Sequence, residues 1–240
     1  MRIRHLTRGT FLTAAVAALL GMTAHSQAAL VTVSETTMTD AYMSWTPLPG
    51  NTVGGASASG WGISALDASF NGAGNTVTVS GNTNIADSVP TSTYWFINGN
   101  VNDPGQLMDA NLYCEVDNIT DLNWTFNYNV LSNTFQSPIQ SSNAFIKAFA
   151  PGYAYIGEVT ATLTPGLGSL VLNPTVAGFG GLADGDIIQY GFETVGPDLT
   201  DAAAAAAGNA VITAVAVPEP ATVALVVGAL ALFARRRRSA

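Results

Sequence analysis

The sequence predicts an all-β fold, an antiparallel β-sandwich of jelly-roll type, and two observations carry this prediction. Between its two ends the chain is rich in Thr, Ser, Asn, Gly, Val and aromatic residues and poor in Lys, Arg and Glu, which is typical of strands. Strand-like segments also recur at short spacing, separated by turn sequences such as Ser80-Gly81-Asn82 and Asp103-Pro104-Gly105. The sequence does not alternate predicted strands with predicted helices, as a Rossmann or barrel fold would.

The clearest predicted strand is Trp124–Val130, where apolar and polar side chains alternate at every position. Nine further segments are predicted as strands: Leu30–Ser34, Trp61–Ala68, Thr76–Ser80, Thr93–Asn98, Asn111–Asp117, Ala144–Phe149, Tyr153–Leu163, Asp186–Phe192 and Ala210–Val217. This number of short strands in one domain, residues 29–217, favours a two-sheet sandwich.

One short helix is predicted near the end of this body. Asp201 precedes six alanines and Gly208, so Asp201 is expected to cap the start of the helix and Gly208 its end. Because so short a helix is marginal alone, it should rest on the sandwich. The alternative interpretation is a flexible connector.

The N-terminal segment, residues 1–28, has the organisation of a secretory signal peptide. Arg2, Arg4 and Arg8 form a basic region, and Phe11–Leu20 form an apolar stretch of about ten residues. Ser26-Gln27-Ala28 places small residues where a signal peptidase reads the chain. We therefore expect export and cleavage after Ala28.

The C-terminal segment, residues 218–240, is expected to be a second targeting element with a short transmembrane helix. Pro218, Glu219 and Pro220 cannot lie inside a helix or central strand, since proline fixes φ and lacks an N–H donor. The uncharged run 221–234 follows, and as a helix its 14 residues reach about 21 Å, short of the roughly 30 Å hydrocarbon core. The last part is a basic stop that favours the cytoplasmic side: Arg235, Arg236, Arg237 and Arg238.

This order of Pro-Glu-Pro, apolar run and arginine cluster resembles the PEP-CTERM sorting tail of exported bacterial proteins. The resemblance covers about one tenth of the chain and implies recognition of Pro218, Glu219 and Pro220 by an exosortase, a membrane peptidase thought to remove the tail. It also implies a location at the cell surface or outside the cell, with transient anchoring in the membrane. A plain membrane anchor and a buried apolar helix are the alternative interpretations.

Charge is distributed very unevenly along the chain. Seven of the eight basic residues lie in the two end segments, so Lys147 is the only basic side chain of the body, against fifteen acids. Nucleic acid is excluded as a partner, because phosphate binding needs Lys and Arg. An anionic membrane surface would also repel the body, and divalent cations are the possible counter-ions.

Few catalytic arrangements are possible in this body. Both histidines, His5 and His25, lie in the signal segment, so the body has no Ser-His-Asp triad and no histidine-ligated metal. Cys114, the only cysteine, is predicted to be a small buried apolar residue on a strand. Carboxylate pairs remain chemically possible, and the sequence does not rank the glutamates Glu35, Glu115, Glu158 and Glu193. We predict no enzyme, cofactor or metal site.

Two further motifs are weaker candidates for binding sites, and each also has a purely structural interpretation. Asp184-Gly185-Asp186 is a candidate calcium loop or, preferably, an acidic turn that enters a strand. The four tryptophans could form a sugar-stacking platform, although core packing is the preferred interpretation for most of them: Trp45, Trp61, Trp95 and Trp124.

Two functions follow from these observations. The first is a non-catalytic exported protein of the cell surface or extracellular polysaccharide matrix, with signal peptidase and exosortase as processing partners; the matrix and the exosortase are what the resemblance to PEP-CTERM proteins implies. The second is a secreted carbohydrate-binding or carbohydrate-active sandwich that uses carboxylates and tryptophans. A groove lined by tryptophans, or by two carboxyls about 5–10 Å apart, would favour the second.

Overall fold

The computed structural model describes residues 33, 35–72 and 75–215. In this part of the chain there are eleven strands: β1 (Asp40–Pro47), β2 (Ser57–Gly60), β3 (Ala68–Asn71), β4 (Thr76–Ser80), β5 (Gln106–Val116), β6 (Trp124–Asn133), β7 (Ser141–Ala150), β8 (Ala154–Thr162), β9 (Gly166–Leu172), β10 (Ile187–Pro197) and β11 (Asn209–Ala214). Two short α-helices accompany them, α1 (Asn84–Ser88) and α2 (Asp201–Ala207). The predicted all-β class is confirmed.

The strands form two sheets in which all neighbours are antiparallel. The six-stranded sheet has the order β2-β1-β5-β10-β7-β8, and the five-stranded sheet has the order β3-β4-β11-β6-β9. The chain crosses repeatedly between the sheets, so β10 lies at the centre of one and β11 at the centre of the other. The long strands β5 and β10 are paired at the centre of the six-stranded sheet, and many of its outward side chains come from them.

The main core lies between the inner faces of the two sheets. Phe126 on β6 lies 5.4 Å from both Tyr190 and Phe192 on β10, measured between ring centroids. The alternation predicted for Trp124–Val130 is confirmed, since Phe126, Tyr128 and Val130 are buried. Burying an aromatic or aliphatic side chain of this size stabilises the fold by about 1.5–3 kcal/mol.

Two segments predicted as strands have other structures. Trp61–Ala68 contains a 3₁₀ turn, Ile63–Leu66, and Thr93–Asn98 leads into another at Ile97–Gly99. Asp67 and Asn98 have φ values of 52° and 53°, and this left-handed backbone ends an extended run. The aromatic residues of these segments mark a second, smaller core instead of strands.

That second core explains three of the tryptophans. Trp45, Trp61 and Trp95 pack around the fully buried Met43 and Phe96, and the rings of Trp45 and Trp95 lie 5.0 Å apart. Trp124 belongs to the main core, where its ring stacks on Tyr190. All four tryptophans are therefore partly buried against the two cores, in agreement with the preferred interpretation of core packing.

The predicted short helix is present as α2, which excludes the flexible connector. Its cap differs from the prediction, because Thr200 precedes the helix and its Oγ1 accepts a hydrogen bond from the Ala203 N–H at 3.4 Å. Asp201 is instead the first helical residue. Gly208 ends the helix as predicted, with φ 84°. Four strands were not predicted from the sequence: β1, β2, β3 and β9.

Both targeting segments lie outside the described residues, as does most of the predicted strand Leu30–Ser34. The signal peptide with Ala28, the triplet Pro218-Glu219-Pro220, the apolar helix 221–234 and the arginine cluster therefore stay predictions. Among the residues that the structure describes, none of the helices has the length and apolar character needed to cross a membrane.

Candidate functional site

A groove of about 560 Å³ lies on the outer face of the six-stranded sheet. Strand periodicity builds it: Ala110 and Leu112 of β5 point into the protein, so Asp109, Asn111 and Tyr113 point outward between them. The same alternation turns Lys147 outward from β7. We call this site the outer groove.

The register of the strands arranges the outward side chains in rows across the sheet. One row joins Glu115 of β5, Gln189 of β10, Lys147 of β7 and Glu158 of β8 as successive paired residues. A parallel row joins Tyr42 of β1, Asn111, Glu193 and Asn143. The row between them contains Gly191, which has no side chain, so Lys147 of the first row can reach Asn111 and Glu193 of the second.

Lys147 is the centre of this polar network. Its Nζ donates to Asn111 Oδ1 at 2.6 Å and lies 3.3 Å from Glu193 Oε2 and 3.9 Å from Glu158 Oε2. The ammonium also lies 4.3 Å from the centroid of the Phe145 ring. Because Lys147 and Glu193 are both largely buried, this ion pair depends on the surrounding hydrogen bonds to offset desolvation.

Glu193 has no oxygen free to face the groove. Its Oε1 accepts a hydrogen bond from Asn143 Nδ2 at 2.9 Å, and its Oε2 contacts Lys147. Glu158 differs, because its side chain is 38% exposed and its distance to Lys147 is long. Of these two carboxylates, Glu158 is the one available to a ligand.

Glu115 organises one end of the outer groove. Its two oxygens accept hydrogen bonds from the Tyr153 hydroxyl and from Gln189 Nε2, both at 2.6 Å. The hydrogen bond to the Glu115 carboxylate raises the pKa of Tyr153 to about 12, because it stabilises the protonated phenol. Tyr153 therefore acts as a hydrogen-bond donor near neutral pH.

Aromatic rings form the wall of the groove at the β7–β8 turn. Phe149 lies 6.0 Å from Tyr153 and 5.8 Å from Tyr155, measured between ring centroids. Tyr153 and Tyr155 are 57% and 60% exposed, although large aromatic side chains are usually covered. Tyr42 adds a third exposed ring on β1. The exposed aromatic residues of this site are therefore tyrosines, and not the tryptophans that the sequence suggested for sugar stacking.

Asp109 lines the groove, and Gly191 lies on β10 between the lining residues of β5 and β7. Burial raises the pKa of Asp109, and Lys147 partly opposes that effect. Gly191 pairs with Tyr113 on one side and Phe145 on the other. A Cβ added at Gly191 would clash with the Leu112 carbonyl oxygen of the neighbouring strand, so this position needs glycine.

Three of the four glutamates considered from the sequence meet on this face. Glu115, Glu158 and Glu193 lie within or beside the outer groove, whereas Glu35 is exposed and does not line it. Sequence reasoning missed Lys147 as their organising partner. The signal was present, since one lysine among fifteen acids on an alternating strand must have an acidic environment.

The other candidates have structural roles. In the segment Asp184-Gly185-Asp186, Asp186 is buried, and its Oδ2 accepts a hydrogen bond from the Ala183 N–H at 2.7 Å, as an acidic turn requires. Within the described ranges, no group of three or more His, Cys, Asp or Glu side chains is placed to hold a metal ion. Cys114 is half-buried on β5 against the main core, and burial raises the pKa of its thiol.

The outer groove thus combines exposed rings, amide groups and carboxylates in one concave surface. Rings bind the apolar faces of sugars, and amides and carboxylates bind hydroxyl groups, so this surface can accept a polyhydroxylated ligand. In comparisons with known proteins, no protein-family model matches this chain, and no curated protein does.

Proposed function

We propose that this chain is a non-catalytic exported protein of the cell surface or extracellular polysaccharide matrix, and that it binds carbohydrate in the outer groove. The observation that carries the proposal is the pair of exposed rings, Tyr153 and Tyr155, beside a row of hydrogen-bonding side chains. Under this proposal the body is a sandwich of jelly-roll type whose outer face holds the ligand.

Binding without catalysis follows from the state of the carboxylates. A glycosidase needs two carboxyl groups that both reach the scissile bond. Glu193 is buried and held by Asn143 and Lys147, so it does not reach a sugar in the groove. The other carboxylates of the groove are also engaged, Glu115 by Tyr153 and Gln189, and Asp109 by Asn111, which supports binding without catalysis. The sequence alternative of a carbohydrate-binding protein is retained in this form, with tyrosines in place of tryptophans.

Binding is tested by affinity electrophoresis of the mature protein through gels that contain matrix polysaccharide from the producing cells. Tyr155→Ala should weaken binding about fivefold to tenfold, since stacking on one ring is worth roughly 1–1.5 kcal/mol. Leu167→Ala is the control, because Leu167 is a large exposed apolar side chain on the opposite sheet. Equal retardation of both variants, or release of new reducing ends by the parent protein, would contradict the proposal.

Sorting is tested separately by changing Pro218, Glu219 and Pro220 to alanine. Export should persist, because the signal peptide is unchanged. The full-length precursor should accumulate in the membrane fraction of cells that carry an exosortase, since the segment 221–238 stays attached. Release of a shortened product, as in the parent, would mean that the triplet is not the processing signal and that the tail is an ordinary anchor.

A further inference from the structure

The outer groove carries a strong excess of negative charge for a sugar-binding surface. Four carboxylates lie in or beside it, those of Asp109, Glu115, Glu158 and Glu193, against the single ammonium of Lys147. Lys147 is held by Asn111, Glu193 and the Phe145 ring, so it has little freedom to bind an external anion. A ligand in this groove therefore meets a negative potential.

Glu158 and Tyr155 lie together at the open part of this surface. The side chain of Glu158 is 38% exposed, and its one described ion pair is the 3.9 Å contact with Lys147. Tyr155 is the most exposed ring of the groove. Both residues line the groove from β8, where Tyr155 pairs with Phe149 and Glu158 pairs with Lys147.

A carboxylate beside an exposed aromatic ring is a site for an ammonium group. The carboxylate supplies the opposite charge, and the ring face attracts a cation within about 6 Å of its centroid. The amide groups of Asn111 and Gln189 and the remaining rings suit a hydroxylated ring more than a flexible peptide side chain. Uronic acids and sulfated sugars would instead be repelled.

Resting on the proposed carbohydrate binding, we propose that the outer groove selects amine-bearing sugars, the residues of a de-N-acetylated amino-sugar polymer. The protonated amine lies between Glu158 and the Tyr155 ring, and the sugar ring packs against the tyrosines. The neutral, N-acetylated form of the same polymer binds more weakly, since it lacks the charge.

The test compares two oligomers of equal length, a β-linked glucosamine hexamer and its fully N-acetylated counterpart, by calorimetric titration of the mature protein. At low salt and pH 6 the amine form should bind about five times to ten times more tightly, and salt should weaken this preference through screening. Glu158→Gln should reduce the preference about threefold. Asp184→Asn, an exposed acid outside the groove, removes the same charge and should leave the preference unchanged.

The outcomes separate this inference from the function on which it rests. Equal or tighter binding of the N-acetylated hexamer would overturn the amine selectivity and leave carbohydrate binding standing. Binding of neither hexamer, nor of any matrix polysaccharide, would overturn both. Equal affinity for an oligolysine of the same charge would also overturn the inference, because charge alone, without sugar recognition, would then explain the preference.

Discussion

The two sheets share one core but present very different outer faces. Every charged residue in a described strand belongs to the six-stranded sheet: Asp40, Asp109, Glu115, Lys147, Glu158 and Glu193. The described strands of the five-stranded sheet have none, and their outward positions hold Thr, Ser and Asn with exposed Leu167 and Val171 on β9.

The outer face of the five-stranded sheet is uncharged, whereas that of the six-stranded sheet carries charges at a cost to folding. An outer face of Thr, Ser and Asn is solvated and suits strand geometry at little energetic cost. A largely buried Lys147–Glu193 pair must overcome desolvation, and exposed tyrosines gain nothing from the core. Such costs concentrated on one face are typical of a binding site and support the proposed carbohydrate binding on the six-stranded sheet.

The largest expected effect is a difference in stability between two Gly→Ala variants, one in each sheet. Gly191→Ala should lower the free energy of unfolding by about 3–5 kcal/mol, because the new Cβ meets the Leu112 carbonyl of the neighbouring strand. Gly168→Ala in β9 should cost about 1–3 kcal/mol, since the obstacle there is the ring of Tyr128, a side chain and not the backbone. Urea denaturation measures both, and an equal cost would contradict this account of Gly191.

The next effect concerns the buried ion pair. Lys147→Met should destabilise the protein by about 3 kcal/mol, since Glu193 would keep a buried charge without its cation. Adding Glu193→Gln should restore much of the loss, because the unpaired charge is then gone. Asn127→Met, on the outer face of β6, is the matched control and should change stability by less than about 0.5 kcal/mol. A full additive loss in the double variant would argue against the pair as the cause.

A third effect is the dependence of stability on pH. Asp198, next to the end of β10, has its pKa raised to about 7 by burial, while the Ala86 and Ile85 N–H groups oppose the shift and Asp67 and Asp87 add to it. Between pH 4 and 7 the folded state keeps a proton that the unfolded state releases, so stability should fall by about 3 kcal/mol as pH rises through this window. Asp198→Asn should flatten that dependence. An unchanged slope in melting experiments would assign the effect to other acids, such as Asp109.

The smallest expected effect distinguishes the contribution of the Tyr153 hydroxyl to binding from that of its ring. Tyr153→Phe removes the hydrogen bond to Glu115 but keeps the ring, so affinity for matrix polysaccharide should fall less than about threefold. Tyr153→Ala removes the ring as well and should cost about fivefold to tenfold. If both variants lose the same affinity, the hydroxyl group, and not stacking, provides the binding.

The sequence predicted the regular parts of the fold better than the irregular ones. Trp124–Val130 and Thr76–Ser80 alternate clearly because one face of each is buried, and both are strands. β2 reads Ser-Ala-Ser-Gly and β9 is rich in glycine, so neither has a pattern to detect. The aromatic residues around Trp61 and Trp95 were mistaken for strand residues, since composition does not distinguish a strand from a loop that packs its rings into a small core.

The sequence predicted some residues of the site but not their arrangement in space. The sequence identified Glu115, Glu158 and Glu193 as carboxylates without histidine partners, but the register that places them beside Lys147 depends on pairings between strands far apart in the chain. The exposure of Tyr153 and Tyr155 likewise depends on the β7–β8 turn, where Tyr153 has φ 64°. Long-range pairing and local turn geometry were the missing information.

The most direct test is a nuclear magnetic resonance titration of the isotopically labelled mature protein with the glucosamine hexamer. Chemical-shift changes should concentrate in β1, β5, β7 and β8, at residues such as Tyr42, Asn111 and Tyr155, and should be absent from the outward residues of β6 and β9. Changes centred on Asn127, Leu167 or Val171, or no changes on either face, would contradict the assignment of binding to the six-stranded sheet.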